Sequence, residues 1–262
     1  KLLPGFRAIE EDEAETLKRQ VLADLLEDGE DRAALRGAAA MLSRRLGPDA
    51  ALAFLSRCAA AFGGAGAPPP AAHDLRAAFG LPAGDPGRWV CEQVAAGAIP
   101  DEDIKAVAAS GEAWGTRTGL ACADMMAGWL DRDADGRAAL LGELISCFLT
   151  GKGELRADFA GDKGKMKDCL EAAVRIVEAG QAMLGTVSAM RVADELAAAW
   201  KLGSRFAEAY ARAKREAGLA DFDDLITLAG ALLRVSQFGE WVRFKLDQRT
   251  DHILVDEAPD TN

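Results

Sequence analysis

Two adjacent carboxylates at the end of an apolar run are the residues in this chain best suited to chemistry. Ile253, Leu254 and Val255 are consecutive branched apolar residues, which suit a strand buried on both faces. Asp256 and Glu257 follow them directly. In α/β sheets, ligands bind at the carboxyl ends of strands, where an acid can hold Mg²⁺ on nucleotide phosphates through water. The pattern therefore predicts Asp256 as the magnesium residue and Glu257 as the acid that orients and polarises an attacking water.

A simpler explanation of this segment is a core strand that ends in two solvated acids. An apolar run followed by Asp-Glu is short and common, so the residues alone leave both interpretations open. An ATP site also needs a phosphate-binding loop of the form G-x-x-x-x-G-K-[ST]. Gly151-Lys152 and Gly164-Lys165 both lack the earlier glycine and the following Ser or Thr. We therefore expect this chain by itself to hydrolyse no ATP at a useful rate.

The densest group of basic residues lies between positions 152 and 167 and is interleaved with glycines. Its members are Lys152, Arg156, Lys163, Lys165 and Lys167. Such a stretch can follow the phosphates of a nucleic acid. Acids are mixed into it, and Phe159 is the aromatic residue available there for base stacking. A solvated loop of mixed charge is the alternative interpretation.

The composition points to packed helices in a soluble protein. Aromatic residues make up 6% of the chain and Tyr210 is the single tyrosine, which favours helices over a β-sandwich. The net charge of −11 argues against a protein that coats nucleic acid over its whole surface. The 5 cysteines form no CxxC pair and there are 2 histidines, which argues against a zinc site. No apolar run reaches the ~20 residues of a membrane span, so we expect a cytoplasmic protein.

Apolar spacing and Gly/Pro punctuation predict the order of the elements. Helices are expected at 10–26, 31–46 and 49–62, as an irregular array within 73–149, as one or two long helices at 169–217, and at 219–233. A loop rich in glycine and proline occupies 63–70, and a polar segment leads to the strand before Asp256. The chain offers no second strand of the same kind. We therefore expect that strand to be extended but poorly paired.

The segment from Asp131 to Gly136 imitates the first half of a calcium-binding loop, with acids at its first, third and fifth positions. The twelfth position, where such loops carry a bidentate glutamate, is Gly142. The pattern therefore predicts a turn between helices with capping aspartates.

The end of the chain and the segment before it resemble one helicase family. HILVDEAPDTN at 252–262 resembles the motif II region of UvrD-like superfamily 1 DNA helicases, in which a strand is followed by DEFQDTN or DEAQDTN. Those proteins commonly carry a tyrosine, a basic residue and a DFDDL segment upstream, and here Tyr210, Lys214 and residues 221–225 match that order. WVRFKLDQRTDHILVDEA is most similar to the AddA subunit type of the AddAB helicase-nucleases. The matching motifs cover about residues 206–262.

One residue departs from the family pattern. Pro259 stands where the family has glutamine, and proline offers neither a side-chain amide nor a backbone N–H. In the family that glutamine is thought to link the nucleotide state to neighbouring motifs. The departure therefore puts this coupling in doubt, while the metal-binding acid is unchanged.

The resemblance implies a mainly α fold with two parts. Residues 1–205 would form an irregular helical insertion, the 1B subdomain, which lies over the DNA duplex. Residues 206–262 would be a helix and one strand of a RecA-like α/β ATPase core, ending at motif II, the Walker B segment. The opening PGFRAIEEDEAE is similar to the segment where AddA-type proteins begin that insertion. We therefore expect the chain to be an internal piece of a larger protein.

The resemblance also implies an activity for the intact protein. It would be an ATP- and Mg²⁺-dependent 3′-to-5′ DNA translocase in double-strand break repair and recombination, with a nuclease domain elsewhere and an AddB-like partner. A UvrD- or Rep-type helicase without nuclease is one alternative. A non-catalytic helical scaffold, in which the acid pair is incidental, is the other.

Overall fold

The computed structural model describes residues 6–27, 31–62, 68–159, 165–235, 237–248 and 252. This part of the chain is mostly helical and contains one sheet of two short strands. The helices are α1 (Glu11–Glu27), α2 (Arg32–Leu46), α3 (Pro48–Phe62), α4 (Ala72–Ala78), α5 (Pro86–Ala95), α6 (Asp101–Trp114), α7 (Arg117–Leu130), α8 (Ala134–Phe148), α9 (Leu170–Ala217), α10 (Phe222–Val235) and α11 (Gln237–Asp247). The strands are β1 (Arg7–Ala8) and β2 (Leu219–Ala220).

The helices agree closely with the sequence pattern. α1, α2 and α3 each begin or end within a residue or two of the predicted bounds, and α4 to α8 form the expected array. The region predicted as one or two long helices is the single helix α9, 48 residues long. The segment 241–250, interpreted from the sequence as a polar approach to the terminal strand, is helical as far as Asp247, where α11 ends.

Residue contacts divide the chain into two compact units. Unit 1 consists of residues 1–69 together with 198–262, and unit 2 consists of residues 70–197. α9 continues from one unit into the other. These units are grouped differently from the predicted parts 1–205 and 206–262, whose identification with a 1B subdomain and an ATPase core stays a prediction.

The core of unit 1 forms where α1, α2 and α3 pack on the second half of α9. Leu55 on α3 and Leu202 and Phe206 on α9 are fully buried there, at 0–1% exposure. Tyr210 extends the same apolar face towards the end of α9. These residues follow the spacing of three or four that places side chains on one helix face.

The core of unit 2 is built by α5 to α8 around the first half of α9. Trp129, Phe148 and Ile176 are fully buried in it. α6 and α7 approach most closely where Gly111 faces Gly119, because a Cβ added at either residue would lie 2.6 Å from the carbonyl oxygen of the other. The close helix packing of this unit therefore depends on the absence of side chains at this crossing.

The two strands pair in parallel, with Arg7 opposite Leu219 and Ala8 opposite Ala220. The backbone N–H of Arg7 donates to the carbonyl of Gly218 at 3.0 Å, and that of Ile9 donates to Ala220 at 3.0 Å. The sequence did not predict this sheet, since strands of two residues carry no hydrophobic periodicity. The pairing brings the beginning of unit 1 beside the segment that follows α9.

Among the described helices, none is both long enough and apolar enough to cross a lipid bilayer.

Replacing Gly203 by alanine should destabilise unit 1. The added Cβ would lie 2.6 Å from Sγ and 2.9 Å from Cβ of Cys58, so α3 or α9 would have to shift. We expect the overpacking cost of about 1–3 kcal/mol to exceed the gain of about 1 kcal/mol from better helix propensity. Urea unfolding followed by circular dichroism measures the difference.

Gly185→Ala is the matched control in the same helix, because nothing lies within 4 Å of its added Cβ. It should stabilise the chain by up to about 1 kcal/mol. Equal stability of the two variants would contradict the close contact at Gly203.

Candidate functional site

The residues with predicted roles in ATP chemistry lie outside the described part of the chain. This applies to Asp256, Glu257 and Pro259. Their magnesium, water and coupling roles therefore stay predictions. His252 is described and exposed, but the rest of the expected terminal strand is not described.

The upstream part of the same pattern forms a cluster at the end of α9. Tyr210 and Lys214 lie one helical turn apart on one face of this helix. α9 ends at Ala217, and Gly218 has a φ of +65°, the left-handed conformation that commonly follows a helix. β2 then leads directly to Asp221 and α10. This turn brings the DFDDL segment against the last turns of α9.

Lys214 is buried between two carboxylates. Its Nζ lies 2.6 Å from Oδ2 of Asp221 and 2.6 Å from Oδ2 of Asp224. The Lys214 side chain is 8% exposed, and the two aspartates are 20% and 33% exposed. A buried ammonium is strongly unfavourable without partners, and charge-assisted hydrogen bonds to carboxylates compensate for the lost water. Both aspartates therefore compensate for the burial of the Lys214 ammonium.

The same two aspartates close the amino-terminal end of α10. The backbone N–H of Asp224 donates to Oδ1 of Asp221 at 2.9 Å, and the N–H of Asp221 donates to Oδ2 of Asp224 at 3.1 Å. This reciprocal arrangement is a capping box with aspartate at both positions. One pair of carboxylates thus binds Lys214 and starts α10.

Tyr210 covers the apolar side of the cluster. Its ring is stacked on Phe206 with a centroid distance of 6.0 Å and an interplanar angle of 4°. Nζ of Lys214 lies 4.6 Å from the centre of the Tyr210 ring, which adds a cation–π contact. The buried hydroxyl makes no hydrogen bond of normal geometry with the described residues, although it lies near the Asp221 carboxylate. Burial and the negative charge of Asp221 both raise the pKa of Tyr210, so its hydroxyl stays protonated.

Burial and hydrogen bonding shift the pKa of Asp221 in opposite directions. Desolvation by itself would raise the pKa of this carboxyl, but the hydrogen bonds from Lys214 and from the backbone of Asp224 together outweigh it. The pKa of Asp221 is therefore lowered from its ordinary value. Folding favours the charged form, which is the form that Lys214 requires.

The remaining residues of the DFDDL segment face solvent. Phe222 is 76% exposed and Ile226, in the next turn, is 56% exposed. None of the α10 side chains that the structure describes is buried. On α11, Trp241 and Phe244 are 59% and 57% exposed. α10 and α11 therefore present large apolar side chains mostly to solvent.

The predicted basic stretch separates into exposed lysines and an arginine used within the fold. The lysines exposed to solvent are Lys152, Lys165 and Lys167. Lys163 lies outside the described residues. Phe159 is 2% exposed in the core of unit 2, so it offers no ring face for a base.

Arg156 binds the end of α8. Its Nε donates to the carbonyl of Leu149 at 3.0 Å, and its Nη2 donates to the carbonyl of Ser146 at 3.4 Å. The backbone N–H of Arg156 donates to the carbonyl of Phe148 at 2.9 Å. The last carbonyls of a helix have no partner within the helix, so a cation there stabilises its end. No sequence pattern indicates this role, because an arginine in a basic loop has the same neighbours in sequence whether it binds phosphate or caps a helix.

Trp114 is the aromatic residue near this stretch that sequence reasoning missed. It lines a hollow of about 170 Å³ together with Arg156 and Asp158. It also lines a more open hollow of about 440 Å³ with Lys165 and Asp168. Each hollow combines a cation with an acid. Neither therefore has the excess positive charge of a phosphate-binding groove.

The remaining candidate metal ligands are used in packing or capping. Cys58, Cys122 and Cys169 are buried, as expected for small apolar side chains. Within the described ranges, no group of three or more His, Cys, Asp or Glu side chains is arranged to hold a metal ion. Asp133 accepts from the backbone of Gly136 at 2.9 Å and caps α8. The prediction of a capped turn in this calcium-like loop is confirmed.

The second half of the chain is similar to a known protein family. Residues 134–262 match the family model of the UvrD/REP helicase N-terminal domain. The match begins well before the motifs at 206–262 and includes the Lys214 cluster, Asp256 and Glu257. The similarity is to UvrD-like superfamily 1 helicases, proteins that use ATP and Mg²⁺ and bind DNA. Neither the curated proteins nor the solved structures searched contain a match.

Arg156→Ala should destabilise the chain, whereas Lys152→Ala should not. Loss of Arg156 leaves the carbonyls of Leu149 and Ser146 without their charged donor, at a cost of about 1–2 kcal/mol. Lys152 is exposed, so its removal should change the free energy of unfolding by less than about 0.5 kcal/mol. Urea unfolding of both variants checks this, and equal effects would show that Arg156 is merely a surface cation.

Acidification should weaken unit 1 through Asp221. Because folding lowers the pKa of this carboxyl, its contribution is complete above the unfolded value of about 3.9. The contribution is lost as the pH falls through the lower folded value. We therefore expect the free energy of unfolding, measured with urea across a pH series, to fall below about pH 4, and Asp221→Asn to flatten this slope.

The control for the pH series is Asp223→Asn, which removes a charge from an exposed neighbour in the same turn. Its slope should match that of the unmodified chain. An Asp221→Asn slope equal to that of the unmodified chain would contradict the assignment.

Proposed function

We propose that this chain is part of an ATP-dependent 3′-to-5′ DNA translocase of the AddA helicase-nuclease type, acting in double-strand break repair and recombination. The match of residues 134–262 to the UvrD/REP helicase N-terminal domain is the observation that supports the helicase part of the proposal, and the AddA type, the polarity and the repair role rest on the sequence resemblance alone. The tyrosine, the lysine, the DFDDL segment and the terminal Asp-Glu pair follow one another within that match, in the order seen in the family.

Asp256 and Glu257 have separate roles in this proposal. The donor set suits Mg²⁺, which prefers carboxylate and water oxygens and keeps part of its hydration shell. When bound, Mg²⁺ neutralises charge on the nucleotide phosphates. Asp256 accepts hydrogen bonds from waters of that shell. Glu257 accepts a hydrogen bond from the attacking water, orients it and increases the electron density on its oxygen.

The pairing of β1 with β2 supports the presence of an insertion. A segment inserted into a host domain needs its two ends close together. Arg7 and Leu219 are direct partners in the parallel ladder, and unit 2 falls between them along the chain. Parallel pairing is the arrangement of α/β cores, in which helices cover the sheet. In this proposal β1 and β2 belong to the ATPase core, and the inserted segment is the helical chain between them, which includes unit 2.

The exposed apolar side chains of α10 and α11 support a core that extends beyond the described residues. Phe222, Ile226, Trp241 and Phe244 are each more than half exposed. Soluble proteins rarely leave several large apolar side chains together in water without a partner surface. We propose that the rest of the ATPase core covers these side chains.

We also propose that the exposed lysines of the basic stretch contribute contacts to DNA.

Assignment to the AddA type implies two further features of the intact protein. A nuclease domain and an AddB-like partner belong to the intact protein, and no residue of this chain is assigned to either. The similarity of WVRFKLDQRTDHILVDEA to the AddA type is what supports them. Co-purification of the intact protein with an AddB-like subunit, and degradation of linear DNA by that complex, would distinguish it from a UvrD- or Rep-type helicase.

Glu257→Gln in the intact protein should abolish ATP hydrolysis while nucleotide binding remains. The amide cannot accept a proton from water, but Asp256 stays in place, so turnover should fall by a factor of about 100 or more. Steady-state ATPase assays with and without DNA, together with binding of a fluorescent ATP analogue, measure the two effects.

Glu240→Gln is the matched control, since Glu240 is exposed on α11 and has no role in the proposal. It should leave turnover unchanged. The isolated chain should show no DNA-stimulated hydrolysis, because it contains no phosphate-binding loop. Normal turnover by Glu257→Gln would contradict the assignment of the water-activating acid.

A further inference from the structure

We propose that Lys214 is a positioning residue that fixes the first turn of α10 to the last turns of α9. This connection, called the α9–α10 joint below, follows from the geometry of Lys214, Asp221 and Asp224. It does not depend on the proposed function.

The side chains of α10 that the structure describes include no buried apolar anchor. None of its described side chains is buried, and Phe222 and Ile226 are largely in solvent. Most helices in globular proteins are held by an apolar face packed on a core. α10 packs on α11, whose Trp241 and Phe244 are themselves exposed. Among the described side chains of α10, apolar burial is therefore too small to fix the direction of this helix relative to α9 by itself.

The link between α9 and α10 is short and able to bend. Only residues 218–221 lie between α9 and α10. Gly218 is in the left-handed region, where glycine moves with little steric cost. The strand β2 contributes two residues of pairing with β1. A second constraint is needed if α10 is to hold one orientation.

Lys214 supplies the second constraint on the orientation of α10. Its Nζ contacts both the residue before α10 and a residue in its first turn, at 2.6 Å each. Those two residues also form the capping box of α10, so the ammonium holds the same atoms that start the helix. Tyr210 limits where the ammonium can lie, because its ring centre is 4.6 Å from Nζ. A single buried cation therefore connects the end of α9 with the beginning of α10.

Hydrogen exchange of the isolated chain tests the joint without ATP or DNA. In Lys214→Met, which keeps the length of the side chain but removes its charge, amide exchange in the first turns of α10 should rise at least about tenfold. Exchange in α2, within the core of unit 1, should change less than about twofold. Lys214→Arg keeps the charge and should restore most of the protection of α10.

Lys201→Met is the matched control. Lys201 lies on α9 and pairs with Asp31 at 2.9 Å, but this ion pair is about half exposed and distant in sequence from α10. Its loss should leave α10 exchange unchanged. Equal acceleration in α2 and α10 of Lys214→Met would show a general role in stability and overturn the proposal. Unchanged exchange in α10 would overturn it as well.

If Lys214→Met does not fold, as judged by circular dichroism, Asp224→Asn provides the test. The asparagine oxygen still accepts from the backbone of Asp221, while one ion pair of Lys214 is lost. Exchange should rise in α10 and not in α2, and no rise in α10 would overturn the proposal. Because neither measurement depends on hydrolysis, a negative result leaves the Glu257 test of the proposed function unaffected.

Discussion

One helix must present apolar side chains to two separate cores, and the described fold depends on this requirement. α9 contributes Ile176 to the core of unit 2 and Leu202 to the core of unit 1. Where partners approach most closely, α9 carries Gly180 and Gly203, at which a Cβ would collide with a neighbouring side chain. The high alanine content lets other helices lie close to the same axis. A bulkier sequence would keep the helix but lose the packing on both of its parts.

The end of α9 shows how a polar cluster can replace apolar packing. A buried lysine generally weakens a protein unless its charge is fully compensated, and replacing such a pair with apolar residues often increases stability. Apolar residues would not fix α10 in the same way, because they bind without direction. Lys214 binds two carboxylates whose other contacts are the amides that begin α10. The cluster thus favours one geometry over others, which a site dependent on alignment requires.

Much of the helical order was predictable because glycine and proline mark the ends of helices. Gly47 separates α2 from α3 and Pro48 is the first residue of α3, so this Gly-Pro pair marks the boundary that the sequence indicated. The tight links were not predictable from spacing. Lys214 and Asp221 lie on opposite sides of a turn, so no helical period connects them, and the family pattern indicated their order along the chain but not their contact. The roles of Arg156 and Trp114 depend on which loop and helix they meet after folding. The roles of Asp256 and Glu257 are predicted entirely from their local sequence pattern and from the family resemblance.

The burial of the cysteines affects how the protein can be labelled with fluorescent dyes. Maleimide dyes react with thiolates, and desolvation raises the pKa of Cys58, Cys122, Cys147 and Cys169, while a hydrogen bond to Asp135 raises that of Cys91. The pKa of Cys122 reaches about 11. At neutral pH each thiol is therefore a poor nucleophile. A cysteine introduced on an exposed face of α10 would lack this burial and would react faster, so a dye could be attached there without removal of the native thiols.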